Sequence, residues 1–244
     1  MIVAFFDFET TGKELKTDRV TQLAVALYDV ETQRLMGCYS NTLYSEEYPP
    51  THPGALAQTG LTDEYIKRCG ELPREAFIIL MHYFSKADYI VGHNIRQFDV
   101  EVLKEELKRM LINGAVFPNL IDTRFDLEIP EHIATRKLSY LAVEHGIAVV
   151  GAHAAIFDVM MNAQLFFKYD VARTIELSKS PEIWVRADVK FDDKQKAKDR
   201  KYLWDGTQKI WAKQIKECHY ENEKNNSDFQ VLKLDSNYKF PETK

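Results

Sequence analysis

The sequence of 244 residues predicts an α/β fold, a mixed sheet with helices packed on its faces, followed by a small C-terminal appendage. Three observations predict it. Three strand-like segments open the chain, and strand and helix patterns alternate after them, which puts helices on both faces of one sheet. The composition then changes near residue 180. Residues 181–244 hold 14 Lys/Arg, 12 Asp/Glu and all three Trp, whereas residues 1–180 hold 18 and 25 of the charged types. The expected divisions are a main domain over 1–178, a small basic Trp-containing module over 182–220 and a loosely held tail over 221–244.

Each element has a local cause. Residues 2–8, rich in Ile, Val and Phe, read as a strand. "RVTQLAVALYDVE" (19–31) alternates apolar and polar, and "RLMGCYSNTLY" (34–44) follows across a short polar link, so the two read as an antiparallel hairpin. "SEEYPPTHPG" is Pro-rich and reads as loop. Thr62 is the expected N-cap of a helix over "DEYIKRC". "PREAFIILMHYFSKA" (73–87) starts on Pro and carries a wide apolar face. "DYIVGHN" and "NLIDTR" read as short strands. "IRQFDVEVLKEELKRMLI" (95–112) reads as an amphipathic helix, and "KLSYLAVEHG" as a helix closed by Gly146. Residues 155–179 read as one long final helix. In folds of this kind the strand ends form the site.

Those strand ends carry acids. Asp7 and Glu9 finish the first strand two residues apart, on one face, with Cα atoms about 6.6 Å apart. A solvated strand end would explain them equally well if they stood alone. On the 95–112 helix, however, Asp99 falls about 40° from Ile95, inside the apolar arc. Glu106 falls at about 20°, as though the helix leaves the core by then. His153 and Asp158, five residues apart, can approach one point only if His153 lies in a loop and a helix begins near Ala155.

Packed together, four such acids need a counter-charge, because two unit charges at about 4 Å repel by roughly 4 kcal/mol at an effective dielectric of 20. Oxygen ligands select Mg²⁺ or Mn²⁺, and two such ions can clamp an in-line displacement at phosphorus. His153 is then the candidate base for the attacking water.

"FDFETTG" (6–12), "VGHNIRQFDVEVL" (91–103) and "HAAIFD" (153–158) resemble, in order, the three motifs of the DnaQ-like 3'-to-5' exonucleases, in the subgroup whose site is Asp-Glu-Asp-Asp plus His. The resemblance covers residues 1 to about 175. It implies an RNase H-like fold, a mixed five-stranded sheet flanked by helices. It also implies that Asp7 bridges two metal ions, that Glu9 and Asp158 complete one site, that Asp99 holds the second ion and that His153 activates water. Thr10, Thr11 and Asn94 match positions near the terminal sugar and the scissile phosphate, Leu61 matches a wedge at the terminal base, and Asp122 reads as structural. One departure is Ala154, where many members carry Arg.

The implied activity is hydrolysis at nucleic-acid 3' ends, single-stranded or frayed and of DNA first, releasing nucleoside 5'-monophosphates, with a polymerase or repair protein as partner. Two competing expectations are an exoribonuclease of the same family and an end-binding or polymerase accessory protein with an idle site. Three scattered cysteines point to a reducing cytoplasm, and no apolar run is long enough for a membrane span. In the appendage, Lys194, Lys198, Lys201 and Trp204 are candidate nucleic-acid contacts, although the three Trp also suit the core of a very small module.

Overall fold

A computed structural model describes residues 1–114, 117–130 and 132–241. The chain forms two compact units, residues 1–175 and 176–244.

The first unit opens with β1 (Ile2–Thr10), β2 (Val20–Asp29) and β3 (Arg34–Thr42), joined antiparallel. Three helices follow, α1 (Pro53–Thr59), α2 (Asp63–Cys69) and α3 (Pro73–Phe84). The Thr62 side chain accepts from the Tyr65 amide, as its N-cap position requires. The Pro-rich segment is only partly loop, because His52 Nδ1 accepts from the Gly54 amide and caps α1. Then come β4 (Tyr89–Gly92), α4 (Asp99–Arg109), β5 (Asn119–Asp122), α5 (Leu138–Glu144), α6 (Ala155–Phe166) and α7 (Val171–Lys179). The sheet order is β3-β2-β1-β4-β5, and β1, β4 and β5 run parallel. This is the mixed five-stranded sheet expected.

Two cores lie on opposite faces of that sheet, and β1 feeds both because its side chains alternate. Ala4, Phe6 and Phe8 pack with Phe77, Leu80, Phe84 and Leu103. Val3 and Phe5 pack with Leu141, Val159 and Phe166. Asp7 and Glu9 continue the second face, past the point where its apolar run stops. The phase of a single strand therefore decides which helix meets the acids, and that helix is α6.

Two helices depart from expectation. The helix expected over 95–112 begins at Asp99, after a turn in which Ile95 is buried. The long helix expected over 155–179 breaks between Phe166 and Val171, where Asp170 accepts from the Arg173 amide through its side chain and starts a new helix.

The second unit is a four-stranded antiparallel sheet in the order β7-β8-β6-β9, from β6 (Glu182–Asp188), β7 (Leu203–Asp205), β8 (Ile210–Lys216) and β9 (Gln230–Lys233). The helices α8 (Lys194–Asp199) and α9 (Tyr220–Asn225) belong to it. Its core is Val185, Ala187, Ala197, Tyr202 and Val231, with Trp211 packed against them. The tail expected to be loosely held is instead built in. β9 pairs with β6, and Tyr238 is buried with its hydroxyl on Asp205 Oδ2 at 2.8 Å. Residues 242–244 of that tail lie outside the described residues.

Candidate active site

The site forms where β1 and the starts of α4 and α6 meet. Asp99 is the first residue of α4 and is 5% exposed. Its carboxylate is held by its own backbone amide and by that of Phe8, which oppose the effect of burial. Asp158 lies in the first turn of α6, and a helix N-terminus favours an anion. The His153 amide donates to Asp158 Oδ2 at 3.1 Å.

His153 is exposed, in the loop before α6, with φ 66°, so the loop geometry that lets it share a point with Asp158 is present. Gly151, at φ 59°, precedes it, and a Cβ there would sit 2.5 Å from the Phe157 ring. A side chain at residue 151 would therefore be strained and would have to displace the Phe157 ring. Ligand atoms of Glu9, His153 and Asp158 lie within 4.8 Å of one another.

The electrostatics tie all four acids into one group. Burial, then Asp99, Glu9 and Asp158, raise Asp7 well above the usual carboxylate value. Burial, then Asp158 and Asp99, push Glu9 up to about 8. Burial lifts Asp99 to about 7, and burial raises Asp158. Burial and mutual repulsion thus disfavour charge on every member of the group. Clustered oxygen donors that repel one another in this way fit hard divalent ions.

The ends of β4 and β5 form a rigid frame beside the acids. A Cβ at Gly92 would lie 2.0 Å from Ile95 Cγ2, so only glycine lets the chain turn there. Asn94, at φ 69°, gives its amide to Asp122 Oδ1 and accepts from Arg124 Nη1. Asp122 also accepts from the Arg96 and Arg124 amides, so its carboxylate is spent on backbone.

His93 is enclosed, bonded through Nδ1 to Thr123 Oγ1 at 3.0 Å and through Nε2 to the Arg136 carbonyl at 2.7 Å. Burial lowers it to about 4. The Arg136 carbonyl can only accept, so Nε2–H donates to it.

A groove of about 830 Å³ runs from Glu9 along Phe8, Thr10 and Phe98 to Gln58 and Thr59, a volume in the range of small-molecule sites. Thr10 therefore lines the groove. Thr11 is 1% exposed, and its hydroxyl donates to Asp18 and accepts from the Arg19 amide, so it braces the loop after β1. Leu61 is half-buried between α1 and α2.

Sequence reasoning missed the second brace of this loop. Glu106 is not at the edge of the core. It is 1% exposed and paired with Arg109 at 2.8 Å. Arg109 also donates to the carbonyls of Asp18 and Leu15.

In the second unit, Lys194 begins α8 and Lys201 follows it at φ 62°. Lys198 Nζ stands 5.9 Å from the centre of the Trp211 ring, and Trp204 is 49% exposed. Among the described residues no helix is long and apolar enough to cross a membrane. Cys38, Cys69 and Cys218 are free and exposed.

Residues 4–166 match the sequence model of the RNase_T exonucleases. This chain belongs to that exonuclease family. It is 28% identical over 167 residues to the 3'-5' exonuclease DinG of Staphylococcus saprophyticus, across 66% of this chain and 17% of that protein. It is also 28% identical over 180 residues to DNA polymerase III subunit epsilon of Treponema pallidum, across 67% of this chain and 75% of the relative.

Among solved structures, E. coli Exonuclease I in complex with a dA16 oligonucleotide superposes with a TM-score of 0.62 at 19% identity, covering 77% of this chain and 48% of that one. The chain thus spans about half of Exonuclease I and a small part of DinG. The fold is that of the DnaQ-like, RNase H-like exonucleases.

Proposed function

We propose that this exonuclease is a metal-dependent 3'-to-5' exonuclease that hydrolyses the terminal phosphodiester of single-stranded or frayed ends, of DNA in the first instance, and releases nucleoside 5'-monophosphates. The observation that carries the reading is the convergence of Glu9, His153 and Asp158 within 4.8 Å, with Asp7 and Asp99 coupled to them by mutual repulsion.

Asp7, Glu9, Asp99 and Asp158 would hold two Mg²⁺ or Mn²⁺ ions. Such ions, when bound, supply Lewis-acid stabilisation of the charge that grows on phosphorus and on the leaving oxygen. The chain's own residues do the rest. The groove receives the terminal nucleotide, with Thr10 on its wall. Asn94 and Leu61 are the proposed contacts to the terminal nucleotide.

His153, exposed and held by its amide to Asp158, takes a proton from the attacking water. The water oxygen bonds to phosphorus as the bond from phosphorus to the 3' oxygen breaks. The leaving 3' oxygen then takes up a proton and the 5'-monophosphate departs. Specificity would then lie in the strand end and its backbone.

The relative named as a polymerase subunit supports a polymerase or repair partner. The absence of a membrane-spanning helix among the described residues is compatible with the cytoplasmic site of action we propose.

The test is a 5'-labelled oligonucleotide, as single-stranded DNA, duplex DNA and RNA, with Mg²⁺ or Mn²⁺. A ladder shortening from the 3' end, lost with chelator and in Asp7→Ala and His153→Ala, is expected. Intact label with both metals overturns the reading in favour of an end-binding protein, and preferential shortening of RNA replaces DNA with RNA as the substrate.

A further inference from the structure

The three Trp of the second unit have different environments. Trp184 stacks on Phe240 at 11° and meets Tyr238 edge-on, and Trp211 packs against the buried core. Trp204 is in neither group. It lies on β7, an edge strand, and is 49% exposed. Its ring leans on Trp211, with its centre 5.3 Å from that of Trp211 at 54° and its Nε1 beside Gly206. A core of this size would gain more from burying an indole than from leaving it half in water.

Residues 189–216 hold nine Lys/Arg against four Asp/Glu, of which Lys196, Arg200, Lys213 and Lys216 are ion-paired with Asp193, Glu223 and Glu182. Lys198 reaches over Trp211, the ring that braces Trp204, and Lys198 and Lys209 are both exposed.

We infer that the Trp204 face, with Lys198 over the adjoining Trp211 ring, is a stacking platform for single-stranded nucleic acid, a second binding place on the chain besides the acid cluster. The inference deepens the exonuclease reading and rests on it for the class of ligand. A braced indole offers a π-face to any base, and neighbouring ammonium groups meet the phosphates, so the platform tolerates any sequence. A rigid ring loses little freedom on binding. Phosphate charge complements the local excess of Lys/Arg, which an acidic protein surface could also do. The base stacking is what separates the two.

The test uses the full chain in chelator, so that no hydrolysis occurs, and a fluorescein-labelled oligothymidylate of about twenty nucleotides read by anisotropy across a salt series. Trp204→Ala is expected to weaken binding about 5- to 100-fold, and Trp204→Phe to keep most of the affinity. Lys198→Ala is expected to lower the slope of log affinity against log salt by about 0.7, one phosphate contact on a single strand. Thermal melting by circular dichroism shows that the variants remain folded, as the exposure of both side chains requires.

Wild-type affinity in Trp204→Ala together with a wild-type salt slope in Lys198→Ala overturns the inference and gives this face to a protein partner. The outcome does not depend on the catalytic reading. A wild-type chain that binds through Trp204 but cleaves nothing in Mg²⁺ or Mn²⁺ refutes the exonuclease activity and leaves the platform standing.

Discussion

The acid cluster makes the metal-free protein pay for its own site, and Glu9→Gln measures how much. Glu9 lies near 4.5 in an unfolded chain and is pushed to about 8 in the fold by burial and by Asp158 and Asp99. A raised carboxylate leaves stability intact below 4.5. As pH climbs from there toward 8, the unfolded chain releases the proton and the folded chain keeps it, so stability falls by about 1.4 kcal/mol per pH unit. At pH 7.5 the loss reaches about 4 kcal/mol as an upper bound. Because the neighbouring acids share the repulsion, about 2–4 kcal/mol of it is recoverable by replacing Glu9 alone.

The assay is thermal unfolding in chelator at several pH values, comparing wild type with Glu9→Gln. The variant is expected to melt about 5–15 °C higher at pH 7.5, with the gap closing near pH 4.5. Added Mg²⁺ is expected to reverse the order, by binding the wild-type carboxylates. His93, lowered to about 4 by burial, costs stability in the opposite direction as pH falls below its ordinary 6.5. It does so equally in both proteins, which is why the difference between them is the readout. A pH-independent gap, or no gap, would refute the account of the cluster.

Four other substitutions test separate parts of the structure. Arg109→Ala leaves Glu106 buried without its partner and is expected to cost about 3 kcal/mol in urea unfolding. Glu106→Gln in the same chain should return much of that. Gly151→Ala forces a Cβ into the Phe157 ring at a position with φ 59° and should displace His153, lowering kcat by up to about 100-fold with little change in KM. His153→Ala should lower kcat about 10²- to 10⁴-fold in single-turnover cleavage while oligonucleotide affinity in chelator stays at the wild-type level.

Most of the first unit was legible because its signals are local. The phase of Val3, Phe5, Asp7 and Glu9 along one strand gives the face they share, and the position of Asp99 inside an apolar arc gives its burial. What escaped was decided at a distance or by an unusual cap. Glu106 with Arg109 three residues on looks like any solvated pair on a helix, and only the loop carbonyls of Leu15 and Asp18 make it internal. The break after Phe166 contains no Gly or Pro, though Asp170 ahead of an apolar run was a cap signal that could have been read. His52 is a rare cap, and α1 was lost with it. β9 has four residues and gains its order from β6, some forty positions earlier, so nothing in its own sequence announces it.

The acids of β1 stand on the third strand of five, which pairs with β2 from Ile2 to Thr10 and with β4 from Val3 to Phe5 and is covered by aromatic rings above and below. Strands so placed exchange their amide hydrogens last, since they open only when the whole unit does. Partial fraying at the β3 or β5 margin therefore leaves the catalytic floor in register. Heat should abolish turnover in a single step that coincides with loss of the first unit's fold.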